Sequence, residues 1–325
     1  MNIFWKNKRV LVTGGAGFIG SHVVKELVKR ESKVTIVISP KTSIVHLKLL
    51  YGPILDLISV KKADLLVFTQ FLKVTKTQEI VLNFAALDGG AEFKQINETE
   101  IFRINTQLIL NLLESSRINK IDRVLIMSSI DIYPNDLKFP IKEEHAHLND
   151  FVENISGYRW SKRIAEIAAN LYYRKYGLKI AIVRAGNVYG EDDYTGIAKK
   201  RIIPTFINAA LEDKDIIIWG NTDLKKSYLY ISDLSKALLD AIEKYPVGEP
   251  INIASSEYVS LIDLVKLILK LTHGKSKIIH KISTVPIKGL FKQSISSNKA
   301  LRVLGWKPKI SLAKGLQKTI ESFRS

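Results

Sequence analysis

The sequence contains no cysteine, which excludes disulfide bonds and thiolate metal sites. None of its six histidines is paired at the four-residue spacing that places two metal ligands on one helix face, so we expect no metal. No apolar run approaches the roughly 18 residues that span a bilayer. The first residues, Met1 to Lys6, lack the long apolar core and cleavage site of a signal peptide. We therefore expect a cytoplasmic protein with no membrane partner.

Positive charge is in excess, because 49 lysines and arginines stand against 32 aspartates and glutamates, for a formal net charge of +17. Such a charge attracts nucleic acids, membrane surfaces and phosphorylated small molecules. It also arises from a lysine-rich solvated surface alone. No long basic block or arginine-aromatic stripe marks a nucleic-acid groove. We favour the solvated surface and expect no nucleic-acid partner, although the positive field would help to gather phosphorylated small molecules.

Short apolar runs alternate with helical patterns over the first half of the chain, which predicts a doubly wound parallel sheet of the α/β class. The predicted strands are Lys8–Thr13, Lys33–Ile38, Ile80–Phe84, Arg123–Met127, Lys179–Val183 and Ile216–Trp219, the predicted helices are His22–Arg30, Glu98–Ser116, Tyr158–Tyr176 and Arg201–Leu211, and Pro246–Pro250 is a predicted loop.

The rhythm loosens beyond Asn187, which suggests a second, smaller part. We expect a Rossmann-type dinucleotide-binding domain made of residues 1–184 plus about 229–255. The rest, 185–228 plus 256–325, is expected to form a smaller, interwoven C-terminal substrate lobe.

Three glycines, Gly14, Gly17 and Gly20, follow the first predicted strand and open a helix. Gly14 permits a tight turn, Gly17 lets backbone amides approach a pyrophosphate, and Gly20 lets helix and strand lie close together. This context predicts that the chain binds a nicotinamide dinucleotide.

The end of the second strand bears on the choice of cofactor. A carboxylate there normally holds the adenosine ribose of NAD, but here Ile38 is followed by Ser39, Pro40, Lys41 and Thr42. The hydroxyls and the lysine would suit the 2′-phosphate of NADP. Alternatively, Lys41 is solvated and NAD binds without that carboxylate, so NAD and NADP both stay open.

Tyr158 and Lys162 form a Y-x-x-x-K pair that lies on one face of a predicted helix. A nearby ammonium stabilises phenolate, which lets a tyrosine exchange a proton with a substrate hydroxyl. Ser128 and Ser129 end the preceding strand, and the carboxyl ends of such strands face the ligand crevice. The serine hydroxyls are therefore expected to meet the tyrosine.

Together these residues resemble the extended short-chain dehydrogenase/reductases that modify nucleotide sugars, over nearly the whole chain. The resemblance implies a tightly held nicotinamide cofactor and a homodimer formed through the helices at 98–116 and 158–176. It rests on T-G-G-A-G-F-I-G at 13–20, Asp64-Leu65, N-F-A-A at 83–86, Asn105, S-S-x-x-x-Y at 128–133, Y-x-x-x-K at 158–162, R-x-x-N-x-Y-G at 184–190, L-Y-I-S-D at 229–233, N-I-A-S-S-E at 252–257 and L-G-W-K-P at 304–308.

By this resemblance Ser129 and Tyr158 flank the reacting hydroxyl, and Lys162 also bonds the nicotinamide ribose. Together with Ser39 from the end of the second strand, the expected cofactor contacts are Gly14, Gly17, Phe18, Ile19, Gly20, Asp64, Leu65, Ala85, Ala86, Asn105 and Lys162. The expected substrate contacts are Ser128, Asn187, Asp192, Lys200, Arg201 and Lys226. Asn187 and Lys226 would meet the diphosphate, although the family usually has arginine at position 226 and lysine gives up bidentate recognition.

The stretches at 85–90, 128–134 and 255–260 look most like GDP-mannose 3,5-epimerase and GDP-fucose synthase. Both carry an acid/base cysteine where this chain has Asp131. One interpretation is that Asp131 moves a proton beside a transient ketone, and the other is that it caps loop amides. Asp192 is the candidate for a second acid/base, with Lys200 as its rival.

We expect an enzyme in which Tyr158 takes a proton from the C4 hydroxyl of a nucleotide sugar, with a GDP-sugar preferred, while hydride passes to the cofactor. Oxidation at C4 acidifies the neighbouring C–H groups, so the 4-keto sugar can be epimerised or dehydrated. A simple 4-dehydrogenase or 4-epimerase, with Asp131 idle, is the alternative. A third alternative is a non-catalytic dinucleotide-sensing protein. The intact Ser129, Tyr158 and Lys162 argue against it.

Overall fold

The computed structural model describes residues 3–134, 137, 140–147, 156–193, 201–223, 225–281 and 294–324. Its strands, in chain order, are β1 (Arg9–Thr13), β2 (Lys33–Ile38), β3 (Ile58–Lys62), β4 (Ile80–Asn83), β5 (Arg123–Ser129), β6 (Lys179–Ala185), β7 (Asn187–Tyr189), β8 (Ile216–Trp219), β9 (Lys225–Tyr230), β10 (Val247–Ile253), β11 (Tyr258–Ser260) and β12 (Ile278–Lys281). Its α-helices are α1 (Phe18–Lys29), α2 (Ile44–Tyr51), α3 (Phe68–Thr75), α4 (Ala91–Ile96), α5 (Glu98–Ile118), α6 (Gly157–Tyr176), α7 (Ile202–Leu211), α8 (Ile231–Lys244), α9 (Leu261–Thr272), α10 (Asn298–Leu304) and α11 (Leu312–Arg324). Short 3-10 turns lie at Gly52–Leu57, Ile130–Ile132 and Glu143–His147. None of the described helices is long and apolar enough to cross a membrane.

Contacts divide the chain into two compact units. The first comprises Met1–Ile132, Asn154–Arg184 and Ser235–Ile251, and the second comprises Tyr133–Glu153, Ala185–Leu234 and Asn252–Ser325.

A seven-stranded sheet in the order β10-β6-β5-β4-β1-β2-β3 organises the first unit. Its strands run parallel where β1 pairs with β2 and β4, and where β2 pairs with β3 and β4 with β5. The chain builds outward from β1 to β3 on one side, then returns to β4 on the other. In sheets of this kind ligands bind at the carboxyl ends of the strands, at this reversal point. The architecture confirms the predicted Rossmann-type α/β class.

Apolar runs put the central strands in the core, because strands covered by helices bury both faces. Leu11, Val81 and Val124 are fully buried, and the cluster around them includes Leu112 of α5 and Ala169 of α6. Where α6 begins, a side chain on Gly157 would collide with the Glu98 carbonyl oxygen of α5. Glycine therefore lets the two helices meet at the turn that carries Tyr158.

The second unit holds a three-stranded sheet, β11-β9-β7, and a two-stranded parallel sheet of β12 and β8. Asp233 ties it together, since its carboxylate accepts the backbone N–H groups of Lys309 and Ile310 at 2.8 and 2.9 Å. The Trp306 indole donates to the Asp233 carbonyl oxygen. These bonds give the L-Y-I-S-D and L-G-W-K-P motifs a structural role.

The observed division differs from the expected one at three places. Residues 133–153, 229–234 and 252–255 fall in the second unit. Two local bonds give the physical reason for part of this, since Tyr133 donates its hydroxyl to the Asn252 side chain at 2.5 Å and the Asn252 N–H donates to Glu143 at 2.9 Å. Pairing of β9 with β7 and β11 holds 229–230 there as well.

Two local predictions were wrong. The expected loop at 246–250 is instead the start of β10, and the Pro246 carbonyl oxygen accepts the Ile180 N–H at 3.1 Å. Proline is tolerated there because β10 is an edge strand of the sheet. The first helix begins at Phe18 rather than His22, because the glycines that open it hide the apolar period.

Candidate active site

The glycine turn between β1 and α1 has a backbone that other residues cannot replace. Gly14 has φ +66°, and a Cβ there would lie 2.6 Å from the Phe84 carbonyl carbon. A Cβ on Gly20 would collide with the Gly14 carbonyl oxygen, which accepts the Gly17 N–H at 3.0 Å. The turn thus needs the glycines that the motif supplies.

The N-terminus of α1 suits an anion. Gly17 is its N-cap, no side chain caps the helix, and its first turn carries no acidic residue. The helix dipole and the backbone N–H groups there favour negative charge. Two side chains hold the turn from behind, as Tyr51 donates to the Gly15 carbonyl oxygen at 2.6 Å and His46 contacts the Ala16 carbonyl oxygen at 3.0 Å. The turn therefore fits the pyrophosphate of a dinucleotide.

Other predicted cofactor residues lie at the carboxyl ends of neighbouring strands. Ser39 follows β2, Asp64 and Leu65 follow β3, and Ala85 and Ala86 follow β4. Ser39 and Asp64 are exposed, and the Asp64 carboxylate accepts the Leu66 N–H at 3.0 Å.

Asn105 on α5 is buried, and both ends of its amide bond the backbone of Leu87 at 2.7 and 3.0 Å. Its side chain shapes the segment after β4.

Tyr158 is buried at the start of α6 and hydrogen-bonds to Ser129 at the end of β5. The Lys162 Nζ lies 5.5 Å from the tyrosine ring centroid and donates to the Met127 carbonyl oxygen at 2.8 Å. The structure thus brings Ser129, Tyr158 and Lys162 together within one unit.

Burial shifts the ionisation of this group. It raises the pKa of Tyr158 above its ordinary value, with Asp88 acting in the same direction, and it lowers the pKa of Lys162 to about 8. Burial thus shifts both proton equilibria toward the neutral forms, although a lysine with a pKa of about 8 still carries its proton at neutral pH.

Asp131 lies just past Ser129, whose hydroxyl accepts the Asp131 N–H at 3.1 Å. The Asp131 carbonyl oxygen accepts from Arg159 at 2.9 Å, and its half-exposed carboxylate lies 3.4 Å from the Nζ of Lys94. The carboxylate is therefore near the tyrosine and accessible.

Ser128 differs from its neighbour Ser129, because it donates to Glu166 at 2.5 Å. Glu166 forms an ion pair with the fully buried Arg184 at 2.7 Å. The Ser128 hydroxyl is thus engaged within the protein.

Lys94 and Asp88 are site residues that the sequence reasoning missed. The Nζ of Lys94 lies 3.5 Å above the Tyr158 ring centroid and 3.2 Å from the Asp88 carboxylate. In the sequence, Asp88 stood out only as a member of the stretch at 85–90 that resembles the GDP-sugar enzymes. Nothing in the sequence distinguishes Lys94 from the many other lysines, because the short helix α4 shows no informative period.

The other predicted substrate residues belong to the second unit, where Asn187 and Lys226 have defined local contacts. The Asn187 amide donates to the Ser227 carbonyl oxygen at 3.0 Å, and Lys226 pairs in register with Val259 across β9 and β11. Asp192 has a left-handed backbone with φ 62°. Lys200 lies outside the described residues.

Arg201 is paired with Asp193, another residue that the sequence reasoning missed, at 3.1 Å. Asp193 is 1% exposed, and burial raises its pKa to about 7 against the opposing effect of Arg201.

In the part of the chain that the structure describes, no three His, Asp or Glu side chains are grouped to hold a metal ion.

Comparisons with known proteins identify relatives over nearly the whole chain. A model of the NAD dependent epimerase/dehydratase family matches residues 10–254. A dTDP-4-dehydro-6-deoxy-D-allose reductase of a Streptomyces species is 29% identical over 323 residues, covering 98% of this chain and 97% of the relative. A UDP-N-acetyl-alpha-D-glucosaminuronate decarboxylase of Bacillus cytotoxicus is 30% identical over 335 residues, covering 98% of each chain.

Among solved structures, the UDP-glucose 4-epimerase of Thermotoga maritima matches with a TM-score of 0.86 at 28% identity, covering 97% of this chain and 98% of that chain. Of the two nicotinamide cofactors that the sequence left open, the family description names NAD. The chain belongs to the NAD dependent epimerase/dehydratase family, within the extended short-chain dehydrogenase/reductases.

Proposed function

We propose that the protein oxidises a nucleotide sugar at C4 to a 4-keto intermediate. The observation that carries this proposal is that Ser129 hydrogen-bonds to the buried Tyr158 and Lys162 lies 5.5 Å from its ring centroid. The relatives named above support the substrate class, because their names specify dTDP- and UDP-sugars.

In this proposal Tyr158, as phenolate, takes the proton of the C4 hydroxyl while the C4 hydrogen leaves as hydride. The turn of Gly14, Gly17 and Gly20 would hold NAD, which would supply the hydride acceptor when bound. Ser129 orients the hydroxyl, and the Lys162 ammonium stabilises the phenolate and bonds the nicotinamide ribose. The buried tyrosine needs this help, because desolvation otherwise keeps it protonated.

The second step is proposed for Asp131. Once C4 is a ketone, the neighbouring C–H groups become acidic, and a carboxylate beside the tyrosine can remove or return a proton. Asp131 lies two residues past Ser129, and its backbone N–H donates to the Ser129 hydroxyl, which supports this role. A 4-epimerase or 4-dehydrogenase in which Asp131 is idle is the second candidate, favoured by the likeness to the Thermotoga maritima epimerase.

The nucleotide of the substrate is proposed to be GDP, with dTDP and UDP as the alternatives. The sequence stretches around 85–90 and 128–134 favour a GDP-sugar, whereas the relatives named above act on dTDP- and UDP-sugars. Asn187, Lys226, Arg201, Asp192 and Lys200 are proposed to meet the phosphates and the sugar.

A homodimer through α5 and α6 is also proposed. Both helices expose large apolar side chains, which in a soluble monomer are usually scattered singly. They are Phe102, Leu110 and Ile118 on α5, and Ile167, Leu171 and Tyr176 on α6.

The test is incubation of the protein with NAD and a panel of GDP-, UDP- and dTDP-sugars in deuterated water. Reduction of the nicotinamide identifies the substrate, and mass spectrometry of the product shows whether deuterium enters beside C4. Deuterium incorporation that is lost in Asp131→Asn supports the acid/base role. Turnover without incorporation, unchanged in Asp131→Asn, supports the simpler epimerase or dehydrogenase. The absence of both nicotinamide reduction, transient or lasting, and sugar conversion with every member of the panel would refute the proposed function.

A further inference from the structure

Lys94 occupies an unusual position, because one ammonium contacts groups from three separate segments. Its Nζ lies 3.2 Å from Asp88 after β4, 3.4 Å from Asp131 after β5, and 3.5 Å above the ring of Tyr158 on α6. The Lys94 side chain is 23% exposed, against 34% for Asp88 and 47% for Asp131. It therefore lies on the inner side of both carboxylates.

The charges around Lys94 favour its ammonium form. Burial opposes that form, but Tyr158, Asp131 and Asp88 outweigh it and raise the pKa of Lys94 above its ordinary value. In return, Lys94 lowers the pKa of Tyr158, while Asp88 and Asp131 raise it. A cation above an aromatic ring is attracted to the π face, and it is attracted more strongly when the ring carries a phenolate charge.

The other charged groups near the tyrosine are engaged elsewhere. Lys162 is farther from the ring and donates to the Met127 carbonyl oxygen. Glu166 is held by Arg184 and Ser128, and Arg159 donates to the Asp131 carbonyl oxygen. Lys94 contacts both the Tyr158 ring and the Asp131 carboxylate.

We propose that Lys94 is a positioning residue that links the two acid/base groups of the reaction, holding the Asp131 carboxylate beside Tyr158 and stabilising negative charge on the tyrosine ring. The inference rests on the proposed function, in which both groups move protons. In it Asp88 has the opposite effect, since its carboxylate competes for the ammonium and adds negative charge near the phenolate. Removing Lys94 should therefore raise the pKa of Tyr158, and removing Asp88 should lower it.

The first test is the pH profile of kcat/KM for nicotinamide reduction by the best nucleotide sugar of the panel. Lys94→Met should move the acid limb, where Tyr158 must lose its proton, to higher pH by about one unit or more. Lys94→Arg keeps the charge and should restore most of the profile, while Asp88→Asn should move the limb to lower pH. Lys73→Met, at an exposed position on α3, is the control and should leave the profile unchanged. Shifts of the same sign in Lys94→Met and Asp88→Asn, or no shift in either, would overturn the proposal.

A second test needs no substrate. Stopped-flow pH jumps record tyrosinate absorbance before the protein unfolds, and subtracting the matching Tyr158→Phe variant isolates Tyr158. The Tyr158 phenolate should appear at a pH at least about one unit lower in Asp88→Asn than in Asp88→Asn/Lys94→Met. Coincident titrations would refute the link even if a sugar is turned over. Separated titrations without turnover of any sugar would refute the proposed function and leave the link standing.

Discussion

Backbone groups form the glycine turn, whereas side chains form the cluster of Tyr158, Lys162, Lys94 and Asp131. Both lie in the first unit. The turn is made of backbone: its geometry depends on absent side chains at Gly14 and Gly20, and it fits an anion through amides and a helix dipole. The cluster is made of charged side chains from distant segments, among them Lys94, Asp131 and Lys162. Substitutions should therefore damage the two regions in different ways, through space and conformation in one and through charge in the other.

The largest expected effect is on chemistry at the cluster. Tyr158→Phe removes the proton acceptor and should lower kcat by about 10²–10⁴, the range for a lost general base. NAD binding, measured by calorimetry, should stay within about threefold, because the phenyl ring still fills the buried site. A variant that keeps wild-type kcat would show that the tyrosine is not the base.

The next effect is on the turn, where the chain offers a matched control. Gly14 and Gly177 both have φ +66°, but a Cβ on Gly177 meets nothing within 4 Å. Gly177→Ala should cost only the left-handed strain of about 1–2 kcal/mol of unfolding free energy. Gly14→Ala adds the collision with Phe84, so it should destabilise more and weaken NAD binding at least about tenfold. Equal losses in urea unfolding and equal NAD affinities would contradict this explanation.

Beneath the cluster, the Glu166–Arg184 ion pair should be worth more than a surface pair. Arg184 is fully buried, so Glu166→Gln leaves an unpaired buried charge and should cost about 3 kcal/mol of unfolding free energy. Glu114→Gln, which breaks the part-exposed pair with Arg117, is the control and should cost less than about 1 kcal/mol. Denaturant titrations of both variants make the comparison, and equal costs would count against the buried pair.

The smallest effect is a pH dependence from Lys162. Its pKa is lowered to about 8 in the folded protein, below the ordinary value of about 10.4 that holds after unfolding. Between these values the unfolded chain binds more protons, so this group makes stability rise as pH increases from about 8 to about 10. The unfolding free energy of the wild type relative to Lys162→Met should therefore increase by about 1–3 kcal/mol over that window. A difference that stays flat would mean that the folded lysine titrates normally.

The same contrast explains what the sequence could predict. The glycine turn and the alternation of strands and helices are local patterns, so the Rossmann-type fold followed from them, and Tyr158 and Lys162 share one helix. Lys94 did not follow, because its importance comes from contacts with residues 6, 37 and 64 positions away that only the folded sheet brings together. Asp193 likewise looked like one of three consecutive acids, and its burial and its ion pair with Arg201 are visible only in the folded chain. The strand β10 was missed because it contains Pro250, which a strand tolerates at a sheet edge.

The central claim, oxidation at C4, is tested most directly with a nucleotide sugar that carries deuterium at C4. The proposed reaction predicts that the deuterium is transferred to the nicotinamide, which mass spectrometry of the cofactor detects, and that Tyr158→Phe abolishes the transfer. Reduced cofactor without deuterium would place the oxidation at another carbon and contradict the account.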